Sequence, residues 1–426
     1  MKQILTILAL MSFSRISFSQ DINKIINTAE VERIEKKLSA DDMEGRKPFT
    51  PSIDRAADFI ASEFAKSGLQ KFPGLEGYKQ PFQMMKAKFV TANGTINGKA
   101  IEISNIIAIT TNPVLKLSES SGFEKIVLDS SKNLVQEANR LLQANKKYIV
   151  FINTFHVKNF GKLKRFQRES FNNQAPVVFV LTNETAERYY FEIYHEIQYS
   201  SLANVIGIIP GKSKKDEYVI FSGHYDHLGI GKPNAAGDSI YNGANDDAAG
   251  TTAVLMLANY FGQLKNNERT LVFVAFTAEE LGGFGSQYFS KQIEADKTVA
   301  MFNIEMIGTE SNWGKNSAYI TGFEKSDFGK ILQANLSGSN FKFEPDPYPK
   351  ENLFYRSDNA TLAALGVPAH TISTSKMDNE KNYHTQSDEI GTLDMSNMAE
   401  IIKAIAISSR TIIAGRETPS RVAILN

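Results

Sequence analysis

Residues 217–229 read EYVIFSGHYDHLG, and the interpretation of the whole chain starts from this stretch. An apolar run typical of a buried β-strand is followed at once by His224, Asp226 and His227. In open α/β sheets, ligands bind just beyond the carboxyl ends of the strands. The three polar side chains therefore either bind a metal or lie on an ordinary surface turn, and other parts of the chain must decide between these readings.

The composition alone argues against several classes of function and of metal site. The chain has 426 residues, enough for one large domain or two ordinary ones. Lys and Arg number 47, as do Asp and Glu, and this zero net charge argues against a nucleic-acid partner. The chain has no cysteine, which excludes disulfides, thiolate ligands and a cysteine nucleophile. A metal site here is expected to use nitrogen and oxygen ligands.

Residues 1–20, MKQILTILALMSFSRISFSQ, have the pattern of a secretory signal peptide. Lys2 supplies the positive charge, residues 4–13 the apolar core, and the last residues a cleavage site with small side chains. We therefore expect export to the periplasm or the extracellular space, with a buried N-terminal helix as the alternative because Arg15 interrupts the pattern. The apolar run is too short to span a membrane, and no other stretch approaches that length.

The remaining chain divides into three parts. Residues 21–110 read as helices followed by a loop and short strands, and residues 111–200 as a small inserted α/β unit. From 201 to 426, near-continuous apolar strands alternate regularly with helices. Such strands are buried on both faces, so this part predicts an α/β fold with three αβα layers around a mostly parallel central sheet.

Acidic and histidine side chains follow several of the predicted strands. These residues are His224, Asp226, Asp246, Asp247, Glu279, Glu280, Glu305 and His384. Each alone has an ordinary explanation, such as a helix N-cap, a charged first helical turn or a surface histidine. Together at one rim they would repel each other unless a cation compensates them. The ligand count fits two divalent ions bridged by a carboxylate, with zinc favoured and manganese or cobalt as substitutes.

Six segments in order resemble the co-catalytic di-zinc aminopeptidase family, which includes bacterial leucyl aminopeptidases, glutamate carboxypeptidase and transferrin-receptor-like proteins. They are SGHYDHLG (222–229), NGANDDAAG (242–250), TAEELGGFGS (277–286), FNIEMIG (302–308), SDNATLAALGVPA (357–369) and YHTQSD (383–388). The resemblance covers residues 30–80 and 203–410 and is weak over 111–200. It implies the zinc-peptidase fold, with 21–110 as the N-terminal segment of the peptidase domain and 201–426 as the catalytic domain. Residues 111–200 would be a protease-associated-like lid, or else a separate packing or dimerisation module.

The resemblance also implies a role for each matching residue. His224 and Glu305 would bind the first zinc ion, Glu280 and His384 the second, and Asp246 both. Glu305 stands where most members of the family have aspartate.

The resemblance implies roles for three further residues and none for His227. Asp226 would accept the other ring proton of His224 and fix its tautomer. Glu279 would act as general base on the water that bridges the two ions. Tyr383 would donate a hydrogen bond to the tetrahedral intermediate. His227 has no role in the family and is expected at the rim of the site.

The predicted function is that of a secreted zinc aminopeptidase that acts on peptides with a free N-terminus. The alternative on the same scaffold is a carboxypeptidase or dipeptidase, for which Arg356 is a candidate to grip the substrate carboxylate. Related amidases carry a dimerisation domain between the Glu-Glu pair and the last histidine. Here that interval is only about a hundred residues and reads as a continuous sheet, which argues against an amidase. Glutaminyl cyclases have an altered set of metal ligands, and receptor-like relatives without activity have lost ligands. This chain keeps the full set of predicted ligands, which argues against both.

Overall fold

The computed structural model describes residues 22–172 and 174–425, so the predicted signal peptide lies outside the described residues. The described chain forms two compact units: one comprises residues 22–80 and 204–425, and the other is Pro81–Ala203. The second unit contains the predicted insert at 111–200 and begins thirty residues before it. No described helix is long and apolar enough to cross a membrane.

The strands and helices are numbered in chain order. The strands are β1 (Gln70–Lys71), β2 (Lys79–Ile96), β3 (Lys99–Ala100), β4 (Ile106–Ile109), β5 (Val114–Ser118), β6 (Glu124–Leu128), β7 (Tyr148–Ile152), β8 (Val177–Leu181), β9 (Tyr189–Ile209), β10 (Lys214–His224), β11 (Gly229–Ile230), β12 (Ile240–Tyr241), β13 (Arg269–Phe276), β14 (Thr298–Ile304), β15 (Ser317–Ile320), β16 (Lys342–Pro345) and β17 (Ala369–Ser373). The α-helices are α1 (Ile22–Ile25), α2 (Thr28–Leu38), α3 (Pro51–Lys66), α4 (Leu134–Gln143), α5 (Val157–Phe160), α6 (Ala249–Leu264), α7 (Phe284–Phe289), α8 (Phe328–Asn335), α9 (Asn359–Ala364), α10 (Met395–Ser408) and α11 (Arg410–Ile413).

The first unit is built on a sheet with the strand order β16-β15-β17-β14-β10-β13-β9. The pairs β10–β13, β10–β14, β14–β17 and β15–β16 are parallel, whereas β13–β9 and β15–β17 are antiparallel. The strand β10, which ends at His224, therefore lies between two parallel neighbours. The predicted, mostly parallel sheet is confirmed.

Both faces of this sheet are covered. Phe221 points to one face, where it stacks on Phe273 and Phe302 with ring centroids 5.4 and 4.9 Å apart. That face packs against α2, α3, α6 and α10, while the adjacent Ile220 packs on the opposite face with residues of α7 and α9. Burial of each such side chain contributes about 1.5–3 kcal/mol. The predicted three-layer αβα arrangement is confirmed, and alternate residues of one strand supply both interfaces.

The second unit contains a four-stranded sheet in the order β4-β8-β7-β6. The strands β6, β7 and β8 are parallel, and β4 is antiparallel to β8. Helix α4 covers this sheet with Leu134, Ala138 and Leu141, which recur at helical spacing and are buried. Asn133 caps the helix by accepting hydrogen bonds from two backbone N–H groups. This unit thus has its own core, as an inserted α/β unit requires.

Candidate metal centre

The candidate ligands lie at one edge of the sheet of the first unit. His224 is the last residue of β10, Glu280 follows β13 by four residues, and Glu305 comes directly after β14. Asp246 lies in the helical turn Ala244–Ala248, just before α6, and His384 lies in the loop after β17. Because β10, β13, β14 and β17 run parallel, their carboxyl ends meet at this edge.

The carboxylate of Asp246 is the centre of the cluster. Its Oδ1 lies 3.2 Å from Nε2 of His224, and its Oδ2 lies 3.2 Å from Nε2 of His384. Oε2 of Glu280 lies 3.1 Å from the same nitrogen of His384. Burial alone would raise the pKa of Asp246, but the contacts with His224 and His384 hold this pKa well below its ordinary value. Asp246 is therefore ionised and presents one oxygen to each histidine.

The contacts fit a metal ion better than hydrogen bonds. The Nε2 atoms of His224 and His384 and Oε2 of Glu305 are shielded from solvent, and none has a hydrogen-bond partner. Two ligand atoms about 2.0–2.1 Å from one tetrahedral zinc ion are about 3.3 Å apart, close to the distances around Asp246. Imidazole and carboxylate donors without sulfur suit zinc. The residues present therefore fit the ion that the sequence predicts.

Glu305 and Glu279 line the same cavity as Asp246. Burial raises the pKa of Glu305 to about 7, and burial together with nearby carboxylates raises that of Glu279 well above its ordinary value. Tyr383 also lines the cavity, with its ring stacked on His384 at a centroid distance of 3.9 Å. Burial and the surrounding negative charge raise the pKa of Tyr383, so the phenol keeps its proton.

Asp226 makes different contacts from those predicted. Its carboxylate Oδ1 lies 3.8 Å from Nδ1 of His224, too far for a hydrogen bond, and the ring nitrogen instead faces the backbone carbonyl oxygen of Asp226 at 3.2 Å. The carboxylate accepts hydrogen bonds from the backbone N–H groups of Glu279 and Glu280. The carboxylate therefore positions the Glu-Glu turn through these two hydrogen bonds.

His227 was expected at the rim, and this prediction is wrong. The residue is fully buried, and its Nδ1 lies 2.8 Å from Oε1 of Glu280. His227, Asp246 and Glu280 bring their donor atoms within 4.8 Å of one another. The backbone N–H of His227 donates to the carbonyl oxygen of Arg46, which ties the loop after β10 to the N-terminal segment.

Two aspartates that received no role from the sequence accept hydrogen bonds from the backbone at or next to the candidate ligands. Asp247 accepts hydrogen bonds from the backbone N–H groups of His224 and Met306, which tie the ends of β10 and β14 together. Asp388 accepts hydrogen bonds from the N–H groups of Asn245 and Asp246. Both aspartates lie inside the quoted motifs NGANDDAAG and YHTQSD, which was the signal available in the sequence.

Arg46 was also missed, and it lies in the N-terminal segment. Its guanidinium is fully buried and donates to the backbone carbonyl oxygens of Tyr225, Asn242 and Gly243. The preceding Gly45 has φ +63°, and a Cβ atom there would lie 2.4 Å from the backbone oxygen of Tyr241. Glycine therefore permits the close approach that brings Arg46 to the loops of the site.

Residues 204–408 match the model of Peptidase family M28. A probable zinc metalloprotease of Pyrenophora teres f. teres is 33% identical over 110 residues, which are 25% of this chain and 23% of that protein. Aminopeptidase YwaD of Bacillus subtilis is 24% identical over 295 residues, 65% of this chain and 54% of that protein. The chain thus spans about a quarter of the length of the first curated relatives that it matches.

Among solved structures, the aminopeptidase from Aneurinibacillus sp. strain AM-1 superposes with a TM-score of 0.54 at 18% identity. The superposition covers 95% of this chain and 97% of the other, and it shows a shared fold. The predicted resemblance to the co-catalytic zinc aminopeptidases is confirmed at the level of family and fold. Over residues 204–408, just under half of its length, this chain is therefore similar to peptidase family M28.

Proposed function

We propose that the protein is a zinc-dependent aminopeptidase that hydrolyses the first peptide bond of peptides with a free N-terminus. The observation that carries this proposal is the placement of one oxygen of Asp246 against each of two histidines, His224 and His384. The relatives named as zinc metalloprotease and aminopeptidase support the metal and the reaction class.

The donor set would suit two zinc ions, for which manganese or cobalt would be substitutes. His224 and Glu305 would hold one ion, Glu280 and His384 would hold the other, and Asp246 would serve both. Bound zinc lowers the pKa of a coordinated water and polarises the carbonyl group of the substrate. Glu305, whose side chain is one methylene longer than that of aspartate, follows the last residue of β14 and lines the cavity.

Glu279 acts as the general base. It takes a proton from the attacking water and returns it to the amine that leaves when the peptide bond breaks. Burial and neighbouring carboxylates raise its pKa well above the ordinary value, so it accepts a proton more readily than an exposed glutamate does. The hydrogen bond from its backbone N–H to Asp226 fixes the turn that carries it.

Tyr383 and Arg356 line the same cavity as Asp246 and Glu279. The protonated phenol of Tyr383 is placed to donate a hydrogen bond to the developing oxyanion. Arg356 is the residue that a carboxypeptidase or dipeptidase would use to bind a substrate carboxylate. Its Nη1 already lies 3.3 Å from a carboxylate oxygen of Glu351, which partly neutralises this charge and favours the aminopeptidase.

The proposal is tested with a panel of substrates on the zinc-loaded protein. The panel contains amino-acid p-nitroanilides, the same compounds with an acetylated amine, N-acetylated peptides and dipeptides. Hydrolysis of the free-amine anilides but not of any substrate with a blocked amine, abolished by a chelator and restored by zinc, is the expected result. Activity confined to blocked peptides or dipeptides would replace the aminopeptidase by the carboxypeptidase or dipeptidase.

A further inference from the structure

The environment of His227 points to a role in the site. Its side chain is fully buried, with Nδ1 2.8 Å from Oε1 of Glu280 and 3.9 Å from Oδ2 of Asp246. The ring cannot move aside easily, because Gly243 packs against it so closely that an added Cβ would lie 2.5 Å from Cδ2. The contact with Glu280 is therefore fixed by the fold around it.

The distances distinguish a hydrogen bond from a shared metal ion. Pairs of predicted ligand atoms around Asp246 and His384 are 3.1–3.2 Å apart, near the edge of a zinc tetrahedron. The separation of 2.8 Å between His227 and Glu280 is shorter and falls within the range of an N–H···O hydrogen bond. At 3.9 Å from Asp246, the same nitrogen is also farther from the bridging oxygen than a second ligand would be.

The other ring nitrogen of His227 identifies the tautomer. Nε2 is buried and has no hydrogen-bond partner. A proton on Nε2 would leave a buried donor unsatisfied, whereas a proton on Nδ1 is accepted by Glu280. The ring therefore carries its proton on Nδ1, and this nitrogen has no free lone pair for a metal.

We propose that His227 is a positioning residue that donates its Nδ1 proton to Oε1 of Glu280, so that Glu280 offers only Oε2 to the ion it shares with His384. Oε2 is the oxygen that faces His384 at 3.1 Å. Binding through one oxygen leaves a coordination position for water or substrate, as a catalytic zinc site requires. This inference rests on the proposed function, and it assigns to His227 a role that the sequence pattern did not.

The test uses His227→Leu, which removes the donor, and His227→Asn, whose amide N–H occupies nearly the same position as Nδ1–H. Zinc affinity is measured by competition with a chelating dye, and the cobalt-substituted proteins are compared by electronic absorption. We expect His227→Leu to weaken one of two zinc sites by about 10–100-fold and to change the cobalt spectrum. His227→Asn is expected to stay close to the wild type, and His156→Leu, a buried histidine of the second unit, serves as the control.

Complete loss of one zinc equivalent in both variants would show that His227 is itself a ligand and would overturn the proposal. Unchanged zinc affinity in His227→Leu would overturn it as well, while leaving the aminopeptidase proposal intact if the wild type binds zinc and hydrolyses peptides. A wild type that binds no zinc would overturn both.

A measurement on the zinc-loaded wild type does not depend on the folding of any variant. Nitrogen-15 NMR of the histidine side chains reports the tautomer of each of the six rings. A proton on Nδ1 of His227, with Nε2 unprotonated, is the expected result. A proton on Nε2 would contradict the proposal.

Discussion

Nε of Arg46 lies 2.8 Å from the backbone carbonyl oxygen of Tyr225, which links the N-terminal segment to the loop that carries His224 and Asp226. The same guanidinium holds the backbone of Asn242 and Gly243, a few residues before Asp246. One buried side chain thus joins the two loops that carry the candidate ligands His224 and Asp246. The N-terminal segment is therefore part of the architecture of the site.

The first prediction concerns Arg46→Lys. Lysine keeps the charge but cannot donate to several carbonyl oxygens from a planar fork, so buried acceptors lose their partners. We expect a loss of about 3 kcal/mol or more in the free energy of unfolding, together with weaker zinc binding. Denaturant unfolding and zinc competition measure the two effects. Arg55→Lys is the matched control, since Arg55 lies in the same segment and is exposed; a change of similar size there would contradict the role of Arg46.

The second prediction concerns Glu279→Gln. The amide is isosteric but cannot accept a proton from water, so kcat should fall by about 10²–10⁴-fold or more while bound zinc stays unchanged. Metal analysis and steady-state kinetics on a p-nitroanilide check both statements. Glu294→Gln, at an exposed glutamate, controls for the substitution itself. Near wild-type kcat in Glu279→Gln would mean that another group is the base.

The third prediction concerns Asp388→Asn. Asparagine retains one carbonyl oxygen, so it satisfies only one of the N–H groups of Asn245 and Asp246. We expect a stability loss of about 1–3 kcal/mol and zinc affinity that is about 10–100-fold lower. Asp394→Ala, which removes the N-cap of α10, should cost about 1 kcal/mol and leave zinc affinity unchanged. If both variants bind zinc equally well, Asp388 does not hold the bridging aspartate in place.

The fourth prediction is a pH dependence of stability that arises away from the metal centre. Burial lowers the pKa of His370 to about 4 from an ordinary value of 6.5. Nδ1 faces the carbonyl oxygen of Thr321, and Nε2 faces the hydroxyl of Ser326, so the neutral ring is satisfied. The unfolded chain binds a proton more readily than the folded one, so stability is present above pH 6.5 and is lost as the pH falls toward 4.

This loss amounts to about 2–3 kcal/mol for His370, and denaturant unfolding at a series of pH values measures it. The variant His370→Asn removes the titrating ring, so the slope between pH 6.5 and 4 should become shallower than in the wild type. An identical slope in both proteins would show that His370 does not contribute.

The sequence predicted the central sheet well and placed the candidate ligands at one edge of it, for one physical reason. Strands such as β10, β13 and β14 are continuous apolar runs, and in a parallel sheet their carboxyl ends meet at one edge. His224, Glu280 and Glu305 therefore come together as soon as the strands are recognised. The strands β15 and β16 have only four residues each, so their apolar runs are too short to be recognised as strands from the sequence.

Contacts that depend on tertiary packing could not be read from the sequence. Arg46 lies about 180 residues from Tyr225 along the chain, and its burial follows from the way α2 and the following turn pack beside the loops. His227 is adjacent to the recognised His-x-Asp pattern, yet only the inward course of the loop places its ring against Glu280. The contact of Asp226 with the Glu-Glu turn depends in the same way on loop geometry, which motif spacing does not specify.

A zinc titration of the metal-free protein, with activity recorded at each addition, tests the central claim most directly. The predicted result is two bound zinc equivalents and hydrolysis of a free-amine p-nitroanilide that rises with them from zero. His384→Ala should remove one equivalent and most of the activity, because His384 faces both Asp246 and Glu280. Hydrolysis by the metal-free protein, or binding that stops short of one equivalent, would contradict a zinc aminopeptidase built on these residues.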